Sequence, residues 1–450
     1  MTYLGCGRLV ARALFLREFS GYYGMRSLLY SLLILPFHQN RTPWPVIAFQ
    51  ALLVAYVIWL VARSLLVRRL IASYLLLIAL LSLLTSLSWF TSLIMPDVLG
   101  PVLYLCIYLL VFARDTLSGA ERLTLALISA WAAAAHLTHL VLAAGLCVLF
   151  VLLLPFRQFE TRSRLKAVAA IALILFLAAA AQIALNAYLT GAPSFNADAP
   201  PYLMARVIAD GPGRWYLRQH CANAPAANSP LKPAAHVARA VAETTPPRFA
   251  LCDFSQDLTD DADDFLWGEK GVWSTASDES KERMNNEEAA FVWATLRAYP
   301  LALLSASIFN SWQQLTNFGI FIFDANAWMV AEFDNALPGQ RAVFSKSLQS
   351  RNALPLDFFS SLLNWTVLVS LALIAIFIPL TWRHFFPRLA ALALIIISTV
   401  LANALVTGAF STVEDRYQSR VIWLIPLLAF LLAFAWFDNR RQSRATPENA

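Results

Sequence analysis

The longest uncharged stretch of the chain runs from Leu123 to Phe156 and contains no Lys, Arg, Asp or Glu. Such a run must lie in lipid or inside a large helical bundle, and eight further apolar runs favour lipid. Hydrophobic residues make up 59% of the 450 residues and charged residues only 14%, whereas soluble chains are about half apolar and about one quarter charged. These values exclude a soluble enzyme, a disordered chain and a nucleic-acid-binding module.

The apolar runs predict about nine membrane crossings. The long run would be about 50 Å of helix, so we expect it to break near His136–His139 into two short spans. Leu301–Phe323 is interrupted by amides and is expected to be a partly polar or interfacial helix rather than a complete span. The expected spans, with the long run counted twice, are Pro45–Ala62, Leu70–Ile94, Val98–Ala113, Leu123–Pro155, Leu165–Ala187, Asn364–Leu380, Leu389–Val406 and Val421–Phe437.

Basic clusters next to these runs predict the orientation of the chain, because Lys and Arg accumulate in cytoplasmic loops. The net charge of +6 is therefore not interpreted as nucleic-acid binding. With the crossings counted above, all four basic clusters lie on the cytoplasmic side and residues 190–363 lie outside. The clusters are Arg63, Arg68 and Arg69; Arg157, Arg162, Arg164 and Lys166; Arg383 and Arg388; and Arg440, Arg441 and Arg444.

The predicted fold class is an all-α polytopic membrane protein with a mainly helical extracytoplasmic domain. We divide it into an interfacial N-terminal segment (1–44), an N-terminal membrane bundle (45–189), an extracytoplasmic domain with interfacial helices (190–363) and a C-terminal membrane bundle with a cytoplasmic tail (364–450). The first segment is expected to be a surface-lying amphipathic helix, because several Arg residues interrupt its apolar sequence. We expect an integral protein of a bacterial inner membrane.

The outer segment has its own chemistry. Thr190–Pro300 holds 15 of the 28 acidic residues, and the stretch from Asp253 to Asp264 is either a solvated surface or a calcium site without EF-hand spacing. Cys221 and Cys252 both lie in this segment, where an oxidising compartment lets them form a disulfide. No metal-binding or nucleotide-binding motif is present, so no cofactor is expected and a divalent metal is not indicated.

Two acidic residues are candidate catalytic groups. Asp97 stands in I-M-P-D-V-L-G at the outer end of a predicted span, where it either caps the following helix or acts as a general base toward a hydroxyl. Glu18, in R-E-F-S-G-Y-Y-G, is either a solvated charge on an interfacial helix or a second candidate.

Further polar motifs stand beside the spans. Arg416, Tyr417 and Arg420, in D-R-Y-Q-S-R-V-I-W-L-I-P, precede the last span. They predict either an interfacial anchor or a phosphate site, because the guanidinium fork matches phosphate oxygens. His136 and His139 are expected to be a packed or interfacial pair, with a metal pair as the alternative.

Three of these motifs, R-E-F-S-G-Y-Y-G followed by the apolar run Trp44–Arg63, I-M-P-D-V-L-G and D-R-Y-Q-S-R-V-I-W-L-I-P, carry a family resemblance. In this chain order they resemble the GT-C class of integral-membrane glycosyltransferases, in the branch of protein O-mannosyltransferases and lipid A aminoarabinose transferases. The resemblance covers Leu16–Leu154 and Asn364–Phe437. It implies an inverting transfer of a sugar from a polyprenyl-phosphate donor to an unidentified acceptor on the outer face. An acidic residue would take the acceptor's proton, and cationic groups would stabilise the departing lipid phosphate.

The resemblance has one departure. Family members usually begin with a span and an outer loop that holds a catalytic acidic residue, and neither is evident before Trp44. Either Met1–Leu35 crosses the membrane despite its charges, or the family's N-terminal span is missing from this chain. Glu18 matches the family's R-E position, which is not the position of the catalytic acid.

Two other functions remain open. A transporter would typically show repeated halves and binding groups at the bilayer midplane, and we find no internal repeat. A membrane scaffold would present the outer segment as a binding domain. Because the acidic residues lie at span ends, we favour an enzyme whose partners are membrane lipid and a lipid-linked sugar donor.

Overall fold

The computed structural model describes residues 2–19, 27–66, 69–153, 162–196, 199–221, 248–325, 336–337, 339–381 and 387–445. Within these ranges the regular elements are all helical, and no strand is present. Arg68, Arg157 and Arg383 of the predicted cytoplasmic clusters lie outside the described ranges, as does most of the R-E-F-S-G-Y-Y-G motif.

The chain divides into two compact units. Unit 1 comprises residues 1–198, 315–403 and 414–450, and unit 2 comprises residues 199–314 and 404–413. The helices of the first part of unit 1 are α1 (Thr2–Leu16), α2 (Leu28–His38), α3 (Trp44–Leu65), α4 (Leu70–Leu84), α5 (Leu87–Ser92), α6 (Leu99–Phe112), α7 (Gly119–Ala135), α8 (Leu137–Leu152) and α9 (Arg162–Thr190).

The remaining helices follow in chain order. They are α10 (Tyr202–Ala209), α11 (Pro212–Cys221), α12 (Ala262–Trp267), α13 (Val272–Thr275), α14 (Asp278–Ala298), α15 (Pro300–Thr316), α16 (Arg341–Phe344), α17 (Leu356–Thr381), α18 (Pro387–Phe410), α19 (Asp415–Ile422) and α20 (Leu424–Ala445).

Five helical stretches are long and apolar enough to cross a membrane, and each contains one of the predicted spans. They are Trp44–Leu65, Ser163–Thr190, Leu356–Leu380, Pro387–Phe410 and Asp415–Asp438. The other four predicted crossings correspond to α4 with α5, to Pro96–Phe112, to α7 and to α8, which are shorter helices. The membrane character of the chain is thus supported, and nine crossings stay a prediction.

The long uncharged run breaks where the sequence predicts. Helix α7 ends at Ala135, and His136 adopts an extended conformation (φ −158°, ψ 134°). The His136 Nδ1 atom accepts a hydrogen bond from the backbone N–H of Thr138 at 3.2 Å, so His136 caps α8.

The start of α7 is fixed by a capping box between Ser118 and Glu121. Glu121 also accepts hydrogen bonds from Arg63 at 2.8 and 2.9 Å. This ion pair joins the end of α3 to the first turn of α7.

The N-terminal helices pack through one side, and an interfacial position for this segment stays a prediction. Leu28, Tyr30 and Ile34 of α2 are fully buried, as are Leu4 and Val10 of α1. Arg8 and Arg12 lie on the exposed side of α1, so the charges are compatible with a buried opposite side.

Unit 2 has its own core. Its largest fully buried aromatic side chains are Phe265 and Phe291. A disulfide joins Cys221 at the end of α11 to Cys252, with Cα atoms 5.3 Å apart. One of the acidic residues of this unit stabilises its fold. Glu288 of α14 accepts hydrogen bonds from the backbone N–H groups of Leu203 and Met204 in the first turn of α10.

The close approach of α1 to α2 yields a test. A Cβ atom on Gly7 would lie 2.3 Å from the backbone oxygen of Ser31, whereas a Cβ atom on Gly5 would meet nothing within 4 Å. We expect Gly7→Ala to lower the free energy of unfolding by about 2 kcal/mol, because backbone must move. Gly5→Ala is the matched control and should be neutral or slightly stabilising. Thermal unfolding in detergent measures both, and equal melting temperatures would contradict the packing.

The disulfide yields a second test. Cys252→Ser should lower the free energy of unfolding by about 3 kcal/mol, because the bond closes a long loop in the unfolded chain. Reducing the parent protein should produce the same loss, and Cys147→Ser, which removes a free cysteine, should leave the effect of reduction intact. A parent protein whose stability does not change on reduction would show that the bond is absent.

Candidate functional site

Asp97 lies in a buried 3-10 turn directly before α6. The turn comprises Pro96–Val98, and Met95 before it is extended. The side chain of Asp97 is 4% exposed, and all 14 residues of α6 are buried. A carboxylate in such surroundings needs a partner, because burying an unpaired charge costs several kcal/mol.

The partner of Asp97 is Arg420 of α19. Arg420 Nη1 lies 3.4 Å from Asp97 Oδ1, and the Arg420 side chain is 2% exposed. The sequence left two roles open for Asp97, a helix cap and a general base. The hydrogen bond that the structure gives its carboxylate is with this guanidinium, so the carboxylate is used for an ion pair rather than for a cap.

The second arm of the Arg420 fork is held by α18. Arg420 Nη2 donates to Asn403 Oδ1 at 3.1 Å. Asn403 Nδ2 in turn donates to the backbone oxygen of Tyr417 at 2.7 Å and to Gln418 Oε1 at 3.0 Å. Asn403 and Gln418 are both fully buried, so the first turns of α19 are fixed against α18 by amide groups.

Backbone contacts also place α19. Ser86, between α4 and α5, donates its hydroxyl hydrogen to the backbone oxygen of Ser419 at 2.6 Å. Asp415 at the start of α19 accepts a hydrogen bond from the backbone N–H of Phe321 at 3.1 Å. Three separate segments of unit 1 therefore position the helix that carries Arg416, Tyr417 and Arg420.

Tyr417 lies between the two arginines. The guanidinium carbon of Arg416 is 4.8 Å from the centroid of the Tyr417 ring, and that of Arg420 is 5.3 Å from it. Both distances are within the range of cation–π attraction. The ring thus holds two cations near each other that would otherwise repel.

Arg416 has hydrogen-bonding capacity to spare. Its Nε atom is buried and has no hydrogen-bond partner. The guanidinium interacts electrostatically with Asp97, which is already paired with Arg420. Two guanidiniums thus share one carboxylate, and a buried N–H donor without an acceptor favours an added anion.

His136 and His139 belong to the same neighbourhood. Both rings interact electrostatically with Asp97, and their centroids are 5.2 Å apart. His139 Nδ1 lies 3.0 Å from the backbone oxygen of Ala132, while its buried Nε2 has no hydrogen-bond partner. A Cβ atom on Gly100 would approach that Nε2 to 3.0 Å, so glycine lets α6 and α8 pack closely here.

Two buried polar residues that the sequence analysis missed lie beside this cluster. Tyr30 of α2 donates its hydroxyl hydrogen to Gln50 Oε1 at 3.0 Å, and Gln50 donates to the backbone oxygens of Thr91 and Leu93. Tyr30 also interacts electrostatically with Asp97. An amide inside an apolar span is the signal that could have identified Gln50.

Glu18 is not placed with the other candidates. Its carboxylate pairs with Arg12 Nε at 2.7 Å, and both side chains are about half exposed. Glu18 is therefore a solvated charge in a local ion pair. Nothing described for Glu18 connects it to Asp97.

The cluster therefore consists of one carboxylate, two guanidiniums and two imidazoles around a buried turn. Among the residues that the structure describes, no group of three or more His, Cys, Asp or Glu side chains is arranged to hold a metal ion. The excess of cationic over anionic groups suits a phosphate, and the carboxylate can accept a proton once its cationic partner is otherwise engaged.

Comparisons with known proteins identify no relative. No family model matches the chain, no curated protein matches it, and no solved structure matches its fold.

The buried ion pair can be tested by a double-substitution cycle. Asp97→Asn should lower the free energy of unfolding by about 3 kcal/mol, because it leaves the Arg420 charge without its carboxylate. Arg420→Gln should also destabilise, and the double variant should recover at least half of the summed loss. Thermal unfolding in detergent measures the cycle, with the exposed Asp257→Asn as control. Strictly additive losses would show that the two side chains do not interact.

Proposed function

We propose that this protein is a membrane enzyme that transfers a sugar from a polyprenyl-phosphate donor to an acceptor on the outer face of the membrane. One observation carries the proposal. Asp97 and the pair Arg416 and Arg420 lie 319 and 323 residues apart in the chain, yet they meet in one buried cluster. Asp97 is the candidate general base of the sequence analysis, and Arg416 and Arg420 are its candidate phosphate-binding groups.

The chemistry of the donor supports a phosphate site here. A polyprenyl-phosphate sugar is amphiphilic, so its phosphate lies at headgroup level while its isoprenoid chain lies in lipid. Arg416 and Arg420 occupy the first two turns of a stretch, Asp415–Asp438, that is apolar enough to span. Guanidiniums at the end of a span are suited to bind a phosphate whose lipid tail runs beside that span.

The ion pair with Arg420 supplies a way to activate Asp97. A donor phosphate that binds Arg416 would also attract Arg420, since phosphate oxygens and carboxylate oxygens compete for the same guanidinium fork. When Arg420 turns toward the phosphate, Asp97 loses its cationic partner and becomes a stronger base. Donor binding would thus prepare the general base only when a substrate is present.

The proposed step is an inverting displacement. Asp97 accepts the proton of the acceptor hydroxyl as that oxygen forms a bond to the anomeric carbon of the sugar. The bond from this carbon to the donor phosphate oxygen breaks, and its electron pair stays on the phosphate. The transition state has oxocarbenium character, and Arg416 and Arg420 stabilise the negative charge that develops on the leaving phosphate.

The proposal includes the topology that the sequence predicts. The chain would cross a bacterial inner membrane about nine times, with four of the crossings made by the shorter helices, and residues 190–363 would lie outside. Asp97, Arg416 and Arg420 would then face the outer surface, where a sugar acceptor is reached.

A transporter is the second candidate, and one observation favours it over a scaffold. The Asp97–Arg420 pair is buried beside an apolar helix, and ion pairs inside a membrane often mark a substrate or ion pathway. The same cluster would serve either function, so the experiment must separate chemistry from movement across the membrane.

The experiment is transfer of radiolabelled sugar from polyprenyl-phosphate donors by protein reconstituted in vesicles. Asp97→Asn should abolish transfer. Arg416→Gln should raise the KM for the donor roughly 10- to 100-fold, since hydrogen bonds to charged groups contribute about 1.5–3 kcal/mol. Arg8→Gln, which changes an exposed arginine of α1, is the matched control and should leave transfer unchanged.

The outcomes divide the candidates. Undiminished transfer by Asp97→Asn would support the enzymatic activity and show that Asp97 is not its general base. No transfer by folded protein, together with Asp97-dependent uptake of a labelled solute into the same vesicles, would favour the transporter.

A further inference from the structure

Helix α15 buries two amide side chains and exposes most of its large apolar side chains. Its side that faces the interior of unit 2 includes Asn310 and Gln314, both buried. Its opposite side carries large apolar side chains that are between 57% and 78% exposed, namely Leu301, Leu304, Ile308, Phe309 and Trp312. A helix on a water-soluble domain has the opposite arrangement, with the apolar stripe inward.

The inward polar side is fixed by specific partners. Asn310 Nδ2 donates to Asp210 Oδ1 at 2.9 Å, and Asp210 forms a buried ion pair with Arg206 of α10. Arg206 Nη1 also donates to the backbone oxygen of Ser411 at 3.3 Å. The rotation of α15 about its own axis is therefore set, because turning the apolar side inward would break the Asn310–Asp210 hydrogen bond.

Helix α15 also packs closely against the end of α18. Within unit 2, α15 lies against the last turns of α18, where a Cβ atom on Gly408 would approach the backbone oxygen of Asn310 to 2.7 Å. Ser311 donates its hydroxyl hydrogen to the backbone oxygen of Leu405 at 3.5 Å. These turns end Pro387–Phe410, a helix that is apolar and long enough to cross a membrane.

The chain bends sharply where α15 begins. Helices α14 and α15 meet at 105°, at Tyr299–Pro300. Helix α14 is rich in charged side chains, and α15 carries no charged residue. The 17 residues of α15 would extend about 25 Å, which is less than the roughly 30 Å thickness of the hydrocarbon core.

We infer that α15 is an interfacial helix that lies in the plane of the membrane and buries its outer side among phospholipid acyl chains. The partner is the lipid surface itself. The exposed leucines, isoleucine and phenylalanine enter the acyl region, and Trp312 occupies the headgroup boundary that indole rings prefer. The same helix holds unit 2 to the bilayer through its outer side and binds Asp210 through its inner side. This inference does not depend on the proposed enzymatic activity.

Depth-resolved fluorescence of the full chain tests this inference. Leu301→Cys, Ile308→Cys and Trp312→Cys are labelled singly with an environment-sensitive nitrobenzoxadiazole probe and reconstituted into phosphatidylcholine vesicles. Glu282→Cys, at an exposed position on α14, is the control. The unsubstituted chain should take up little label, because its free cysteines are buried and the other two form a disulfide.

The three α15 labels should be quenched by lipids that carry a nitroxide high on the acyl chain, and all to a similar degree. The α14 label should instead be quenched by aqueous iodide. Leu301 and Trp312 are 11 residues apart, so a helix that crossed the bilayer would place their labels at depths differing by about 16 Å. Such a depth difference, or iodide quenching of all three α15 labels, would overturn the inference.

Discussion

The buried ion pair of Asp97 and Arg420 requires hydrogen-bonding partners from the neighbouring helices. Removing a carboxylate and a guanidinium from water costs several kcal/mol per ion, and mutual attraction offsets this only when the remaining hydrogen-bonding groups are also satisfied. Here Asn403 takes the second arm of the guanidinium, while proline and an extended residue hold the turn that carries the carboxylate. The ends of α6, α18 and α19 are therefore positioned by one electrostatic requirement.

The apolar skeleton could be predicted from sequence, and the polar contacts could not. The predicted spans Pro45–Ala62 and Leu389–Val406 lie within the helices Trp44–Leu65 and Pro387–Phe410, because length and hydropathy alone decide whether a helix can cross a membrane. The break at His136 followed from the same reasoning, since one span cannot accommodate the whole run. The pairing of Asp97 with Arg420 joins residues 323 positions apart, and no periodicity relates two such short motifs.

A charge pattern describes only one side of a helix that has two different environments. Arg8 and Arg12 predict that α1 lies at a surface, and Leu4 and Val10 on its other side are fully buried. The presence of charge says only that some side of a helix reaches water or headgroups. In α15 the amides gave the correct expectation of a partly polar helix, but their inward direction depends on Asp210, which only the fold brings near.

The two arginines of α19 differ in a way that suggests an order of events. Arg420 already has a carboxylate and an amide as partners, so an arriving anion must compete for it. Arg416 has a buried Nε without an acceptor, so an anion can bind it without displacing any partner. An anion that binds Arg416 first would then lie beside the Tyr417 ring, which both guanidiniums share. From there it can draw Arg420 away from Asp97, because a phosphate satisfies both guanidiniums at once and a single carboxylate cannot.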